Sequence, residues 1–497
     1  MIVSVFTLGC KTNLYESGQI IAELNKSGHT AFHGLKRADV YVLNTCAITK
    51  EAEKKSRQLV ARAKKLNVAA RVIVVGCASE KDANQFVNID GVTYIKGVVG
   101  KEKIAAVLDN VGVDIEAMPT AYAESNYAAQ ERTRAFVKIQ DGCNNFCSYC
   151  IVPYLRGRSR SRKIADVVNE VKSNSAAETV LIGIDISQFG RDTGESLADL
   201  FTALRGVKTR IRLGSLEARV VTDKLLQALS KINFCPHFHL SLQSGSDTVL
   251  RRMNRKYTAT EYFEAVEKIR KVFPSAAITT DIIVGFCGET DDEFQETVDF
   301  VNKVGFADIH VFPYSPREGT AAFNWQDTPS AVKNVRAEKL GEIKLRLKRE
   351  FAERFVGQTV SVLCERKKNG LWEGYSKEYL RVYFTGETQP NEVVEVDIIK
   401  PYLDGALGKV RYGKNLQNDL IDNIEKLHST EMGIDRITRN LKIETDDVIG
   451  LCKSMILHKD ATIKRAGKNW YVTVNDCTIT VNARSYTIIT AHINKEK

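Results

Sequence analysis

The sequence predicts an α/β protein with four parts: an open parallel α/β sheet domain, a partial (β/α)6 barrel, a small all-β barrel and an extra C-terminal α+β unit. Three observations carry this prediction. Apolar runs alternate with helical stretches as far as residue 353, strands bounded by turns follow from residue 356, and helical and strand patterns mix after residue 411. A chain of 497 residues is also too long for one hydrophobic core.

The first part alternates short apolar runs with helical patterns. The runs "IVSVFTL", "DVYVLNTCA" and "ARVIVVGCA" are separated by "YESGQIIAELNKSG" and "EAEKKSRQLVARAKKL". This alternation predicts βαβαβ with a parallel sheet over residues 1–115. Residues 116–134 have many small residues and little periodicity, so they are predicted to be a linker.

The second part, residues 135–353, repeats the strand–helix alternation six times. Six βα units indicate an incomplete barrel, because a closed one has eight. The predicted strands lie near residues 136–140, 179–184, 210–215, 237–241, 277–284 and 307–313.

The last two parts differ from the first two in their pattern of predicted strands and helices. Residues 356–410 contain strands bounded by Gly and Asn turns, which predicts a small barrel. Residues 411–497 are helical through "LQNDLIDNIEKLH" and "TDDVIGLCKSMI" and end in the β-like "NWYVTVNDCTITVNARSYTIIT". We expect helices followed by a β-hairpin there.

Composition limits the class of protein. The net charge of +10 and the pI near 8.9 favour a polyanionic partner. The N-terminal residues lack an export signal, and no apolar run approaches the roughly 18 residues of a membrane span. We therefore expect a cytoplasmic protein without membrane partners. In a reducing compartment the 11 cysteines are expected to be thiols or metal ligands.

Cys10, Cys46 and Cys77 each follow a predicted strand directly. Because the carboxyl ends of parallel strands meet at one edge of a sheet, we expect the three thiols to be neighbours. A buried thiol at a strand end is the alternative for any one of them. Three at equivalent positions favour a metal or cluster site.

A second trio, Cys143, Cys147 and Cys150, lies in "CNNFCSYC" after the first barrel strand. Closely spaced thiolates of this kind can hold an iron–sulfur cluster. Zinc is the alternative, but a structural zinc site takes four protein ligands, and no fourth Cys or His lies close by in sequence. A three-ligand set leaves one coordination position open for a substrate.

The sequence resembles the radical S-adenosylmethionine (SAM) methylthiotransferase family over about residues 1–410. The resemblance lies in the CxxxCxxC motif and in "TLGCKTNLYES", "LNTCAIT", "VVGCASE", "IVPYLRGRSRSR", "RLGSLEAR", "HFHLSLQSGSDTVLRRMNRKYT" and "TTDIIVGF". The all-β segment with "WEGYSKEYLRVYF" resembles the family's TRAM domain. The segment "TLGCK.N.YES" is most similar to the branch that acts on N6-threonylcarbamoyladenosine next to the tRNA anticodon. The tail resembles a bacterial domain of unknown function.

The resemblance implies two 4Fe-4S clusters and S-adenosyl-L-methionine as cofactors. Cys143, Cys147 and Cys150 would hold the cluster that cleaves SAM, and Cys10, Cys46 and Cys77 the cluster that supplies sulfur. The implied reaction places a methylthio group on C2 of the modified adenine in tRNA, and it needs an electron donor protein such as flavodoxin or ferredoxin. Alternatives are the same chemistry on isopentenyladenosine or a ribosomal-protein aspartate, or a non-catalytic RNA-binding protein whose cysteines hold zinc or a structural cluster.

Further candidate site residues surround the barrel mouth. Tyr149 matches the aromatic position that lies against the SAM adenine in the family. Glu217 and Gln243 end predicted strands at the mouth and are candidate SAM contacts, and packing or a satisfied strand-end polar group is the alternative for each. Weaker candidates of the same kind are Ser215, Ser244 and Asp281. Four arginines could bind tRNA phosphate or the SAM carboxylate, or form a solvated loop: Arg156, Arg158, Arg160 and Arg162. Five further cysteines are expected to be packing residues: Cys235, Cys287, Cys364, Cys452 and Cys477.

Overall fold

A computed structural model describes residues 1–128, 133–411, 420–458 and 460–494 of the chain. The described chain divides into two compact units. The first comprises residues 1–354 with the segments 375–381 and 401–406, and the second comprises residues 355–374, 382–400 and 407–497. The domain boundaries predicted from sequence stay predictions. Part of the predicted linker and the start of the predicted helix "LQNDLIDNIEKLH" lie outside the described residues.

The N-terminal part is an open sheet of six parallel strands in the order β2-β1-β3-β4-β5-β6. Neighbouring residues of one strand pack on opposite faces: Val40 and Val42 belong to one core, and Tyr41 and Leu43 to another. Burial on both faces explains why these strands are almost continuously apolar in sequence. The elements are β1 Ile2–Thr7, α1 Lys11–Lys26, β2 Thr30–His33, β3 Val40–Thr45, α2 Lys50–Leu66, β4 Arg71–Gly76, α3 Cys77–Lys81, α4 Asn84–Val87, β5 Val92–Lys96 and β6 Gly112–Asp114.

The central part is the predicted six-unit partial barrel. Its parallel strands form two sheets, β11-β10-β7 and β12-β13-β14-β15, and only Gly214 separates β11 from β12. A parallel bridge between Ile211 and Phe234 continues the strand order across that break. The strands are β7 Arg134–Lys138, β10 Glu178–Ile182, β11 Arg210–Leu213, β12 Ser215–Leu216, β13 His237–Leu240, β14 Ala277–Val284 and β15 Asp308–Pro313, with β8 Gln140–Asp141 and β9 Arg160–Ser161 as a short antiparallel pair.

Helices cover the outside of these strands and bury one large core around Phe201, Phe238 and Tyr262. Two of them, α10 and α11, begin with a capping box in which a threonine and a glutamate three residues later satisfy free backbone N–H groups. The helices are α5 Val152–Arg156, α6 Ile164–Ser173, α7 Leu197–Ala203, α8 Asp223–Ser230, α9 Asp247–Arg252, α10 Ala259–Val272, α11 Asp291–Val304 and α12 Ser330–Glu353.

The predicted small barrel is confirmed as a closed five-stranded barrel in the order β16-β17-β18-β20-β19. Antiparallel pairing of β16 with β19 closes it. Closure leaves no exposed strand edge. The strands are β16 Thr359–Lys368, β17 Leu371–Ser376, β18 Arg381–Thr385, β19 Val393–Tyr402 and β20 Gly405–Val410.

In the described part of the C-terminal unit, helices pack on an antiparallel sheet of four strands around the buried Trp470. The expected single hairpin is therefore half of the sheet, because "TIKRA" and "IITAHI" add a strand on each side. The elements are α13 Glu431–Leu441, α14 Val448–Ile456, β21 Thr462–Ala466, β22 Asn469–Val474, β23 Cys477–Asn482 and β24 Ile488–Ile493. No described helix of the whole chain is long and apolar enough to span a bilayer.

Candidate active site

Cys10, Cys46 and Cys77 lie where β1, β3 and β4 end, and these three strands are neighbours in the sheet. The loops approach closely at Gly9, where a Cβ atom would lie 3.0 Å from the Cβ and 3.1 Å from the Sγ of Cys46. Gly9 also has a φ of +105°, a backbone angle that residues with a side chain rarely adopt. We call these three residues the dispersed trio. The structure brings them together as the strand pattern predicts.

The dispersed trio is partly buried, which affects its protonation. Burial raises the pKa of Cys46 to about 11 and also raises that of Cys77. Cys10 precedes the first residue of α1, and Cys77 is the first residue of α3, so two helix N-termini face the trio. Such termini favour negative charge. A bound cation that replaces the thiol protons would complete this arrangement.

Cys143, Cys147 and Cys150, the local trio, occupy one loop between β8 and α5. Backbone groups hold the loop: the N–H of Asn145 donates to Cys143 Sγ (3.4 Å), and the N–H of Cys150 donates to the carbonyl of Cys147 (2.9 Å). Gly142 and Phe146 have φ values of +72° and +47°. The backbone conformation is therefore unusual on both sides of the first cysteine, as is common at functional sites.

A polar network surrounds the local trio. Arg255 Nη1 donates to Cys147 Sγ (3.3 Å), and its Nη2 lies 3.2 Å from a carboxylate oxygen of Glu217. Asn145 Nδ2 donates to Glu217 (3.0 Å) and to Asp185 (2.9 Å). Burial and then the Glu217 carboxylate raise the pKa of Asp185 to about 6. The network places charged groups beside the sulfurs, where a polar cofactor would be bound.

A second, buried network connects the two trios. The guanidinium of Arg156, on the helix after the local trio, donates to both carboxylate oxygens of Glu16 (2.8 and 3.0 Å), on the helix after Cys10. Lys138 and Lys101 also pair with Glu16, at 2.6 and 2.5 Å. Although burial opposes it, these three cations hold the pKa of Glu16 well below its usual range. The two cysteine sites are thus joined by ion pairs inside the first unit.

The barrel interior contains a cavity of about 780 Å³, and Gly9 and Lys11 line it beside the dispersed trio. Among the described residues, one group of three possible metal ligands has its ligand atoms within 4.8 Å of one another, and it lies in this cavity: His239, Asp281 and His310. In neither cysteine trio do all three sulfur atoms lie within 4.8 Å of one another. Three thiolates bound to one zinc ion would lie about 3.8 Å apart, because a Zn–S bond is about 2.3 Å long. A 4Fe-4S cluster instead binds each thiolate through a different iron. The thiol-only donor sets fit such clusters.

Comparisons with known proteins agree with this geometry. Residues 137–301 match the radical SAM superfamily, and residues 2–99 match uncharacterized protein family UPF0004. A threonylcarbamoyladenosine tRNA methylthiotransferase (MtaB) of Bacillus subtilis is 36% identical over 436 residues, which cover 82% of this chain and 96% of the relative. A protein of the same name from Thermotoga maritima is 34% identical over 77% of this chain and 91% of its own. This chain belongs to the radical SAM methylthiotransferase family.

Other relatives in the family carry a different name. A tRNA-2-methylthio-N(6)-dimethylallyladenosine synthase from a Thermoanaerobacter species is 35% identical over 84% of this chain and 92% of the relative. Among solved structures, the radical SAM methyltransferase TsrM of Kitasatospora setae, with cobalamin and a 4Fe-4S cluster bound, has a TM-score of 0.50 at 12% identity and covers 75% of this chain and 80% of its own. That likeness shows the fold. Residues 421–492 match a protein family of unknown function, DUF3781.

In this methylthiotransferase the predicted SAM contacts lie around the local trio. Glu217 joins the polar network described above, and Tyr149 packs edge-on against Phe286 with ring centroids 6.3 Å apart. Gln243 has a φ of +74°, and its backbone N–H donates to the carbonyl of Asp281 (2.9 Å). Their contact with SAM stays a prediction. Ser244 is buried and bonds Thr297, whereas Ser215 and Asp281 line the barrel cavity.

The predicted phosphate-binding role of the arginine segment is wrong for three of its members. Arg156, Arg160 and Arg162 are at most 5% exposed and bond carboxylates or carbonyls of the first unit. Only Arg158 is exposed, and it lies over the ring of Phe146 at 4.4 Å. Their spacing in sequence does not reveal this, because their partners come from distant segments.

The burial of the remaining cysteines is consistent with the packing role expected for them. Four are buried, and Cys287 lies in a small core with Phe286 and Tyr314. Cys477 is half-buried in the C-terminal sheet. The sequence motifs do not indicate Asp185 as a site residue. It follows strand β10 by three residues, so its position near a strand end was the one signal that could have found it.

Proposed function

We propose that this methylthiotransferase acts on N6-threonylcarbamoyladenosine next to the tRNA anticodon and converts it to the 2-methylthio derivative. The observation that carries the proposal is the 36% identity, over 82% of this chain, to a relative named for that substrate. The excess of positive charge is consistent with an RNA substrate. The net change breaks the C2–H bond of adenine, whose hydrogen leaves on the deoxyadenosyl group of one SAM, and forms the bonds C2–S and S–CH3 with a cluster sulfur and the methyl group of a second SAM.

The two cysteine sites have different roles in this reaction. When bound, two clusters and SAM supply the one-electron cleavage of SAM, the sulfur atom and the methyl group, and the electron comes from a donor protein such as flavodoxin or ferredoxin. Cys143, Cys147 and Cys150 would hold one cluster at the barrel mouth, and the dispersed trio would hold the other at the sheet edge. The protein positions the groups and excludes water.

Charged residues at the barrel mouth orient the cofactor. Arg255 forms an ion pair with Glu217 and Asn145 donates a hydrogen bond to it, and the two contacts keep that carboxylate beside the local trio. Glu217 and Asp185 are acceptors suited to the SAM amino group, and Arg255 is a donor suited to its carboxylate. Tyr149, half-buried on the same loop, offers an aromatic face to the adenine.

The test is mass spectrometry of tRNA nucleosides from cells with the gene, without it, and complemented with either wild type or Cys147→Ala. We expect 2-methylthio-N6-threonylcarbamoyladenosine to be absent from the deletion strain and restored by wild type alone. An unchanged level after deletion would refute the proposed substrate.

Dimethylallyladenosine is the second candidate, because relatives at 35% identity carry that name. Loss of its 2-methylthio form in the same experiment, with the threonylcarbamoyl product unchanged, would establish it instead.

A further inference from the structure

The cavity in the barrel interior has the size of a small-molecule site. Its volume of about 780 Å³ falls within the range of roughly 300–1,000 Å³ that is typical of ligand pockets. Its wall combines the inner faces of β13, β14 and β15 with Gly9 and Lys11, on either side of Cys10. A ligand in this cavity would therefore lie next to the dispersed trio.

Most of the cationic side chains on this wall are already paired. Arg212 contacts the carboxylate of Glu178 at 2.7 Å, and Lys348 donates to Asp308 at 3.1 Å. Arg381 and Asp404, also on the wall, pair at 2.8 Å. These three charges are balanced by the protein itself.

Lys11 is different. Its side chain is exposed to the cavity, and no hydrogen bond or ion pair joins its ammonium group to another described residue. It is the first residue of α1, whose first turn has no acidic side chain and whose N-cap makes no side-chain hydrogen bond. The positive end of the helix thus adds to the charge of the ammonium. Both features favour a negatively charged group at this place.

The carboxylate of Asp281 is on the same wall, but it has partners of its own. It shares a hydrogen bond of 3.2 Å with His239 and lies within 4.8 Å of a ring nitrogen of His310. Two imidazoles therefore adjoin this carboxylate. An anion that entered the cavity would find the uncompensated cation at Lys11.

We infer that Lys11 binds the carboxylate of the amino-acid group attached to N6 of the substrate adenine. This inference rests on the proposed function, since the threonylcarbamoyl group ends in a carboxylate and the dimethylallyl group has no charge. An ion pair at Lys11 would anchor the substituent beside Cys10 and turn the base toward the dispersed trio. It would also distinguish the two nucleosides, because an uncharged substituent leaves the ammonium without a partner.

The test compares three anticodon stem-loop RNAs that carry threonylcarbamoyladenosine, dimethylallyladenosine or adenosine at the modified position. Each is titrated anaerobically against reconstituted full-length wild type, Lys11→Gln and Lys11→Arg. Lys26→Gln, an exposed lysine at the other end of the same helix, is the matched control. Fluorescence anisotropy gives the dissociation constants, and single-substrate kinetics with the threonylcarbamoyl RNA give KM and kcat.

We expect Lys11→Gln to weaken binding of the threonylcarbamoyl RNA by about tenfold, as for loss of one charge-assisted hydrogen bond. Its affinity for the other two RNAs should stay within about twofold of wild type, and KM should change more than kcat. Lys11→Arg should recover most of the loss, and Lys26→Gln should behave as wild type. Iron content and circular dichroism confirm that each variant is folded and loaded.

Two results would overturn the inference. An equal loss for all three RNAs would make Lys11 a general RNA contact, and unchanged affinity for the threonylcarbamoyl RNA would remove it from recognition. In both cases wild type still modifies the threonylcarbamoyl RNA, so the proposed function stands. If wild type modifies only the dimethylallyl RNA, the proposed function fails, and the inference fails with it.

Discussion

The two cysteine trios reach similar donor sets by opposite routes. The local trio spans eight residues of one loop, so its geometry depends on the backbone conformation between β8 and α5. The dispersed trio spans 68 positions, from Cys10 to Cys77, and comes together only when β1, β3 and β4 pair in one sheet. A loop site can be broken by a single strained residue, whereas a sheet-edge site is as stable as the sheet that carries it.

The largest expected effect separates the two sites chemically. Cys147→Ala should abolish SAM cleavage, and Cys46→Ala should stop sulfur insertion while SAM is still cleaved, because each removes one ligand from one trio. Deoxyadenosine and methylthio product are quantified by mass spectrometry after anaerobic reconstitution. Iron should fall from about eight per chain toward four in each variant.

Cys477→Ala, in the C-terminal sheet, is the control and should keep both activities. Equal loss of SAM cleavage in both trio variants would show that the sites do not divide the reaction. Zinc without iron in the wild-type protein would exclude the radical reaction altogether.

The next effect concerns the network between the trios. Glu16→Gln removes the carboxylate that compensates Lys101, Lys138 and Arg156, and breaking a buried ion pair typically costs about 3–5 kcal/mol. We expect the midpoint of the first unfolding transition to move to a lower urea concentration, by an amount that corresponds to this loss of free energy of unfolding. Glu51→Gln, which breaks an exposed pair with Lys55 at 3.7 Å, should cost at most about 1 kcal/mol. Equal midpoints for the two variants would mean that the network contributes no stability.

Local patterns in the sequence predicted the dispersed trio and the barrel, because strand ends after apolar runs are local signals. They did not predict the Glu16 network, since Glu16 and Arg156 are separated by 140 positions and buried charges need partners that periodicity does not show. For the same reason the sequence does not show that Arg156, Arg160 and Arg162 are buried. The C-terminal sheet was underestimated because "TIKRA" has a single large apolar residue, Ile463, which carries too little alternation to indicate a strand.

A smaller effect tests the loop site alone. Gly142 and Gly194 have φ values of +72° and +76°, so alanine strains both, by about 1–2 kcal/mol. At Gly142 a Cβ would also collide with the carbonyl oxygen of Arg158, whereas nothing lies within 4 Å of one at Gly194. We expect Gly142→Ala to lose the iron of the local trio and keep that of the dispersed trio. Gly194→Ala should keep both.

Mössbauer or EPR spectra, together with iron content, identify the remaining cluster. If Gly142→Ala loads both clusters fully, the loop tolerates displacement, and the contrast between a strain-sensitive loop and a robust sheet edge is wrong.

The smallest effect concerns acid. Glu293 pairs with Arg252 at 2.6 Å. Arg252 lies three residues before Arg255, which donates a hydrogen bond to Cys147. The hydrogen bond from Arg252 lowers the pKa of Glu293 to about 2. Because this pKa is below that of the unfolded chain, about 4.3, the pair stabilises the fold above that pH, and its contribution is lost as the pH falls toward 2.

Glu293→Gln should therefore lower the thermal midpoint at pH 7. Its midpoint should then fall less steeply than that of the wild type as the pH is lowered from about 5 to about 3. The loss at pH 7 should be about 1 kcal/mol, because the Arg252 side chain is 33% exposed and solvent weakens the pair. Glu350→Gln, which breaks an exposed pair with Arg346 on α12, is the control and should leave the shape of the curve unchanged. Parallel curves for wild type and Glu293→Gln would show that this pair does not anchor the segment beside the local trio, and that the loop depends on its own backbone alone.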